Sequence, residues 1–182
     1  MNALYFLVDT FARLYLLTFL LRIMLQVARA DFYNPISQFI MRVTNPLVVP
    51  ARRLLPSLRS FDLPTLVVLV VVQMAVALLL LALRGVTPSI GVLVWFTVFA
   101  LIRLTISTYF ICVLVYVVLS WLAQATYSPI AMLLGQIVEP MLRPARRLIP
   151  PISGLDVSPM IVMILLMAVS IAVNDLANQL LR

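Results

Sequence analysis

Four long apolar segments alternate with more polar connections along this chain. The first covers about residues 3–28, and the second, 65–83, contains no charged residue. The third lies within 88–122, and the fourth covers about 158–176. None of them alternates strictly between apolar and polar positions, as the strands of a membrane barrel do. Because about 20 apolar residues cross a bilayer as a helix, this pattern predicts four transmembrane helices.

The third apolar segment is longer than a membrane requires. Residues 88–122 are 35 residues (122 − 88 + 1), or about 52 Å of helix, against a hydrocarbon core of about 30 Å. We therefore expect the membrane span near 97–122. The residues before it are expected to protrude, to kink or to lie in the membrane interface.

An internal repeat relates the two ends of the chain. Residues 50–56 (PARRLLP) recur as residues 144–150 (PARRLIP), with six of seven identical at an offset of 94 (144 − 50). The same offset carries Asp62 onto Asp156. Such a gapless repeat is typical of a duplicated unit.

The repeat predicts a tandem duplication with a first half over residues 1–87 and a second half over 88–182. Each half supplies two spanning helices, so the halves share one orientation and are related by a pseudo-twofold axis along the membrane normal. The expected fold class is therefore an all-α membrane protein with four transmembrane helices in two helix–loop–helix halves. Interfacial amphipathic helices complete it.

Each long connection begins with a helix-capping residue followed by proline, namely Asn34 before Pro35 and Ser128 before Pro129. Amphipathic segments are expected over 35–56 and 129–150. Their apolar faces follow helical spacing and consist of Ile36, Phe39, Ile40 and Val43, and of Ile130, Leu133, Leu134 and Ile137.

These amphipathic helices are expected to end at Pro46 and Pro140, since proline breaks the helical hydrogen-bond pattern. A short second turn would then carry each arginine pair. We predict that the helices lie in the membrane interface with the apolar face down. Packing onto the spanning bundle is the alternative.

The composition argues against a soluble enzyme. Apolar residues make up 64% of the chain and charged residues 10%, whereas about 25% are charged in an ordinary domain. The chain lacks histidine, which is the commonest general base and metal ligand. A single cysteine, Cys112, cannot form an internal disulfide. We therefore expect no enzymatic activity, no cofactor and no metal.

All thirteen basic residues are arginines, and six acids leave a net charge of +7. Most of the arginines lie in the two long connections, which hold Arg29, Arg42, Arg52, Arg53, Arg59, Arg143, Arg146 and Arg147. The other side holds Arg84 and Arg182 at helix ends. The positive-inside rule then places the arginine-rich connections in the cytoplasm and both termini in the periplasm.

The two arginine turns are the most distinctive chemical feature. A candidate site for anionic lipid or for a partner consists of Arg52, Arg53, Arg143, Arg146 and Arg147. A guanidinium group binds phosphate through two parallel hydrogen bonds, which favours such a role. The alternative is topology anchoring with generic attraction to anionic lipid, worth about 1 kcal/mol per basic residue. No aromatic residues interleave these arginines, so direct nucleic-acid binding is not expected.

The two aspartates that follow the arginine turns, Asp62 and Asp156, each precede a spanning helix. Helix capping is the expected role of both. A salt bridge back to the arginine turn is the alternative.

A candidate intramembrane charge cluster consists of Asp9, Arg13, Arg103 and Asp175. Their charges sum to zero, which suits a paired structural network, with an ion or proton path as the alternative. The repeat offset places Arg103 opposite Asp9 and predicts an ion pair between them. A competing prediction pairs Asp9 with Arg13 within one helix, at i and i+4. Arg22 is expected to extend its side chain to the interface.

The sequence resembles the YggT family of small bacterial inner-membrane proteins, which has relatives in chloroplasts. The resemblance is carried by residues 31–35 (DFYNP), by the doubled Pro-x-Arg-Arg-x-x-Pro motif and by residues 154–159 (GLDVSP). It covers essentially the whole chain and implies no catalytic residues. It implies roles in osmotic and envelope stress and in ion homeostasis. Other relatives are linked to cell division, chromosome distribution or, in plastids, haem attachment to cytochrome b6.

Two functions are compatible with these features. The first is a non-enzymatic inner-membrane protein that scaffolds or modulates other envelope proteins. Its expected partners are the bilayer, anionic lipid head groups, and other membrane proteins or further copies of itself. The second is an ion channel or transporter component, and an assembly factor for cell division or cytochrome maturation is a further alternative.

Overall fold

The computed structural model describes residues 2–55, 62–121, 128–148 and 156–180, and every regular element in these residues is a helix. The helices are α1 (Asn2–Val27), α2 (Pro35–Leu54), α3 (Leu63–Leu83), α4 (Ile90–Trp121), α5 (Pro129–Leu148) and α6 (Ser158–Leu180). Four of them, α1, α3, α4 and α6, are long and apolar enough to cross a membrane. The predicted all-α membrane fold is therefore confirmed.

The helices define two ends of the bundle. At one end, which we call the arginine end, α1 and α4 finish, α3 and α6 begin, and α2 and α5 lie between them. The opposite end contains the turn between α3 and α4 and the start of α1. All the charged residues of the two arginine turns therefore lie at one end of the molecule.

Helix α4 is a single helix of 32 residues, about 48 Å long. It begins at Ile90, seven residues before the expected start of the span at 97 (97 − 90). Of these additional residues Leu93 is buried, whereas Ile90, Val94 and Trp95 are exposed. The additional residues thus continue the same helix and do not form a separate element.

The prediction that Pro46 and Pro140 end the amphipathic helices is wrong. Helix α2 continues through Pro46 and Pro50, and α5 continues through Pro140 and Pro144. Each pair is spaced by four residues, so both prolines of a helix lie on one face, and all four are exposed. The carbonyls that lose a hydrogen-bond partner therefore also lie on the exposed side of each helix.

Helices α2 and α5 pack onto the spanning bundle, which is the alternative to a purely interfacial position. Helix α2 contacts α1 and α3, and α5 contacts α4 and α6. The buried side chains are Ser37, Ile40, Thr44 and Val48 in α2 and Ala131, Leu133, Ile137, Val138 and Leu142 in α5. Phe39 and Ile130 belong to the predicted apolar faces but are exposed. In each helix, some apolar side chains therefore pack against the bundle, and others lie on an exposed side of the helix.

The hydrophobic core is concentrated toward the arginine end. Its larger cluster joins α1, α2, α4, α5 and α6, with Leu20 and Leu25 from α1, Val113 from α4 and Leu142 from α5 among its members. A smaller cluster joins Leu16 and Phe19 of α1 to α2 and α3. The arginine turns are therefore attached to the best-packed part of the protein.

Candidate functional site

The arginine turns lie where α2 and α5 finish. Arg52 and Arg53 occupy the last turn of α2, and Arg146 and Arg147 occupy the last turn of α5. Asp62 caps α3, so the short connection from α2 brings the first arginine turn back to this carboxylate.

The first cluster is centred on the carboxylate of Asp62, whose side chain is 3% exposed. Its Oδ2 atom accepts hydrogen bonds from Arg52 Nη2 at 2.6 Å and from Thr65 Oγ1 at 2.7 Å. Its Oδ1 atom accepts the Thr65 backbone N–H at 3.4 Å, which caps the helix. The two roles considered for Asp62, capping and ion pairing, are therefore both present.

Arg22 completes the first cluster from α1. Its side chain is 6% exposed, and its Nε lies 3.6 Å from Oδ2 of Asp62. Its Nη1 donates to Thr44 Oγ1 at 2.6 Å and to Asn45 Oδ1 at 2.9 Å. The expectation that Arg22 extends to the interface is wrong, because α2 folds over α1 and supplies acceptors inside the protein. This agrees with the rule that buried charges are paired and hydrogen-bonded.

The second cluster has the same arginine–aspartate pair in a more open setting. Arg146 Nε donates to Asp156 Oδ2 at 2.8 Å, and Arg146 Nη1 donates to Glu139 Oε2 at 2.7 Å. The Asp156 Oδ1 atom accepts the Ser158 backbone N–H at 3.0 Å. Arg143 Nε lies 3.6 Å from Glu139. The Asp156 side chain is 36% exposed, so water reaches this cluster.

The repeat offset shows how the two clusters differ in charge. Arg22 corresponds to Tyr116 (116 − 22 = 94), and Asn45 corresponds to Glu139 (139 − 45 = 94). The first cluster therefore has two arginines to one carboxylate. In the second, Arg146 contacts two carboxylates. With the adjacent exposed arginines included, the first cluster carries a net charge of +2 (Arg22, Arg52 and Arg53 against Asp62), and the second carries +1 (Arg143, Arg146 and Arg147 against Glu139 and Asp156).

The pKa values of the two aspartates are lowered in the folded protein. Burial by itself raises the pKa of Asp62, but hydrogen bonds from Thr65 and Arg52 and the charges of Arg52 and Arg22 outweigh it. Burial also acts to raise the pKa of Asp156, and the hydrogen bonds from Arg146 and Ser158 outweigh it. For Arg146, burial lowers the pKa, but Asp156, Tyr116 and Glu139 raise it above the ordinary arginine value. All three groups are therefore charged at neutral pH.

The remaining arginines of the predicted patch face outward. Arg53, Arg143 and Arg147 are exposed, and the Arg52 side chain is 48% exposed. Hydrogen bonds join the two connections far from these arginines, at the N-terminal ends of α2 and α5. There Asn34 Nδ2 donates to the Pro129 carbonyl at 2.9 Å. The structure thus provides a basic turn on each of two helices.

The predicted caps of the connecting helices make the expected contacts. Asn34 Oδ1 accepts the Ile36 backbone N–H at 3.0 Å, and Ser128 Oγ accepts the Ala131 backbone N–H at 3.1 Å. Because Asn34 also binds the start of α5, it joins the N-terminal ends of α2 and α5.

The predicted intramembrane charge cluster does not assemble. Arg13 Nε lies 3.0 Å from the Asp9 carboxylate, which is the pairing within one helix. Arg103 and Asp175 are exposed, and no ion pair between described residues includes either of them. The predicted pair between Asp9 and Arg103 is therefore wrong, because Asp9 finds its counter-ion one turn along its own helix.

Sequence reasoning missed Arg22, Thr44, Asn45 and Glu139 as members of these clusters. One signal was available, since Arg22 is a charge within an apolar segment and such charges mark functional or structural sites by default. In the described part of the chain, no group of three or more histidine, cysteine or acidic residues is placed to hold a metal ion.

Comparison with known proteins identifies the family. The model of the CCB3/YggT family matches residues 1–84 and 95–177. The chain belongs to the CCB3/YggT family. A Pseudomonas aeruginosa relative is 40% identical over 176 residues, covering 94% of this chain and 89% of the relative. The Escherichia coli protein YggT is 38% identical over 176 residues, covering 96% of this chain and 91% of the relative.

A further relative, from the proC 3′ region of Vibrio alginolyticus, is 39% identical over 179 residues and covers 97% of this chain and 96% of the relative. No solved structure matches the chain significantly. The similarity to YggT-family proteins thus extends over nearly the whole chain.

Proposed function

We propose that this YggT-family protein is a non-enzymatic scaffold or modulator of other proteins in the bacterial inner membrane. In this proposal it acts in osmotic or envelope stress and ion homeostasis. The observation that carries the proposal is the pair of basic turns. Each is held by an aspartate that directly precedes a spanning helix or lies two residues before it, and each presents exposed guanidinium groups.

The aspartates support this role because each pairs with one arginine of its turn and leaves the positive charge of the adjacent arginine unpaired by that aspartate. Arg52 and Arg146 bind Asp62 and Asp156, while the adjacent Arg53 and Arg147 stay exposed. A turn that is already ordered loses little conformational entropy when it binds a phosphate or carboxylate group. We infer that the turns face the cytoplasm, following the arginine distribution.

An ion channel or transporter component is a second candidate. The observation that favours it is Arg22, a buried charge within a helix that is long enough to span a membrane. Its acceptors on Thr44, Asn45 and Asp62 also suit a structural role.

Co-purification in mild detergent tests the scaffold proposal. The wild type, the double variant Arg53→Gln/Arg147→Gln and the control Arg103→Gln are isolated from native membranes, and bound proteins and lipids are identified. Arg103 is a suitable control because it is also an exposed arginine but lies in α4. We expect a stoichiometric partner with wild type and control, and a several-fold loss with the double variant.

Equal recovery from all three proteins would contradict a role of the basic turns. Robust, saturable ion flux into liposomes that contain only this protein would replace the scaffold proposal with the transport function.

A further inference from the structure

An apolar groove of about 720 Å³ runs between α2 and α3, with Tyr15 of α1 also at its wall. Its lining includes Leu47 and Leu54 from α2 and Val67, Val71, Ala75 and Leu79 from α3. The Tyr15 side chain is the only one in the lining with a polar group. A groove of this kind suits a hydrocarbon chain.

The length and position of the groove match one leaflet of a membrane. From Val67 to Leu79 the α3 wall rises through 12 residues (79 − 67), or about 18 Å. One leaflet of the hydrocarbon core is about 15 Å deep. Because α3 starts at the arginine end and carries no charge, the exposed face of the groove lies at the depth of lipid acyl chains.

The arginine turn of α2 lies at the mouth of this groove. Ala51, Leu54 and Leu55 line the groove, and Arg52 and Arg53 stand in the same helical turn. In a phospholipid the acyl chains and the phosphate are esterified to the same glycerol unit, so the phosphate lies a few bonds beyond the carboxyl ends of the chains. A chain in the groove therefore brings its phosphate to this turn, where Arg53 is exposed and Asp62 holds Arg52 in place.

We propose that the groove and the arginine turn of α2 form a binding site for one anionic phospholipid. An acyl chain lies between α2 and α3, and the head-group phosphate binds Arg53 and the exposed side of Arg52. This inference rests on the proposed role of the basic turns and names the ligand of one of them. The excess positive charge of the first cluster favours an anionic head group over a zwitterionic one.

The second half supplies a matched comparison. The repeat offset carries Val71 onto Leu165 (165 − 71 = 94) and Ala75 onto Val169 (169 − 75 = 94), so the second half has bulkier side chains at these positions. Its arginine turn also faces Glu139, which repels a phosphate. The anionic lipid therefore prefers the first half.

Mass spectrometry of the intact protein in detergent, with added phosphatidylglycerol or phosphatidylcholine, tests the site. We expect the wild type to retain one phosphatidylglycerol several-fold better than phosphatidylcholine. Ala75→Phe fills the groove from an exposed position and should abolish this retention, whereas Val169→Phe, the control in the second half, should leave it unchanged. Arg53→Gln should remove the preference for phosphatidylglycerol.

A milder variant covers the case in which Ala75→Phe fails to fold. Val71→Leu with Ala75→Val installs the side chains of the second half and should lower retention several-fold. Retention of phosphatidylglycerol by this variant and by folded Ala75→Phe, together with its loss in Arg53→Gln, would overturn the groove but leave the basic turn in place. Undiminished preference for phosphatidylglycerol in Arg53→Gln would overturn the contact between the phosphate and the basic turn, and with it the anionic-lipid site proposed here. Detection of a dimer that retains no phospholipid in the same mass spectra would also overturn the lipid site.

Discussion

Asp62 and Asp156 occupy equivalent positions but differ in burial, so they allow a direct measurement of what burial does to an ion pair. Substitution by asparagine keeps a side-chain oxygen for the helix cap and removes only the charge. Asp62→Asn leaves Arg22 buried without its counter-ion, which costs about 3–5 kcal/mol. Asp156→Asn breaks a partly exposed pair, worth about 0–1 kcal/mol.

Unfolding of both variants in the same detergent measures this difference. We expect a clear loss of stability for Asp62→Asn and a small one for Asp156→Asn. Equal losses would show that the Arg22 contact does not stabilise the fold.

Acidification should weaken the same contacts. Both aspartates have a lowered pKa in the folded protein, so their stabilising contribution is fully present above the unfolded pKa of about 3.9. It is lost as the pH falls below that value toward the folded pKa. The apparent melting temperature should therefore be steady from pH 7 to about pH 5 and drop in more acidic buffer.

The variant Asp62→Asn serves as the control for this pH dependence. It has already lost the larger contribution, so its melting temperature should fall less steeply below about pH 4 than that of the wild type. A parallel acid decline in both proteins would assign the pH dependence to other groups.

At the scale of elements, Gly135 of α5 lies against the Tyr116 ring of α4. A Cβ atom built on Gly135 would lie 3.5 Å from a ring carbon of Tyr116, which is ordinary van der Waals contact. Gly135→Ala should therefore fit and stabilise the protein by up to about 1 kcal/mol, through its better helix propensity. Gly135→Leu should destabilise it, because the longer side chain meets the Tyr116 ring.

Gly91 of α4 is the control for this contact, since a Cβ atom there meets nothing within 4 Å. Gly91→Leu should be tolerated in the same thermal unfolding assay. If Gly135→Leu were tolerated equally well, α5 would not be packed tightly against Tyr116.

The helices also show which elements the sequence patterns could identify. Length and apolarity predicted α1, α3, α4 and α6, because a membrane imposes both. The prolines of α2 and α5 misled the prediction, because a local rule takes no account of which face of the helix they occupy. Pro46 and Pro50 lie on an exposed face, so the helix continues past both of them.

For the whole molecule, the distribution of arginine predicts that the arginine end faces the cytoplasm. Single cysteines placed in a Cys112→Ala background test this. Ser89 lies in the turn at the opposite end and Gln38 lies on α2, and both are exposed. A thiol reagent that cannot cross membranes should label Ser89→Cys in intact cells, and Gln38→Cys only after permeabilisation.

Both cysteines should react in detergent, which confirms that they are accessible. Labelling of Gln38→Cys from outside intact cells would show that the arginine end faces the periplasm, contrary to the prediction.

The sequence by itself determined the class of this protein, its four apolar helices and its family, because these depend on composition, segment length and motifs. It also identified Asp62, Asp156 and the arginine pairs, since the repeat marks them. Only the tertiary structure decided which charges meet. Arg22 pairs with Asp62 because α2 folds over α1, and Asp9 turns to Arg13 in place of Arg103. The contact between Arg22 and Asp62 joins residues that are 40 positions apart (62 − 22), and the local sequence pattern carries no information about such a contact.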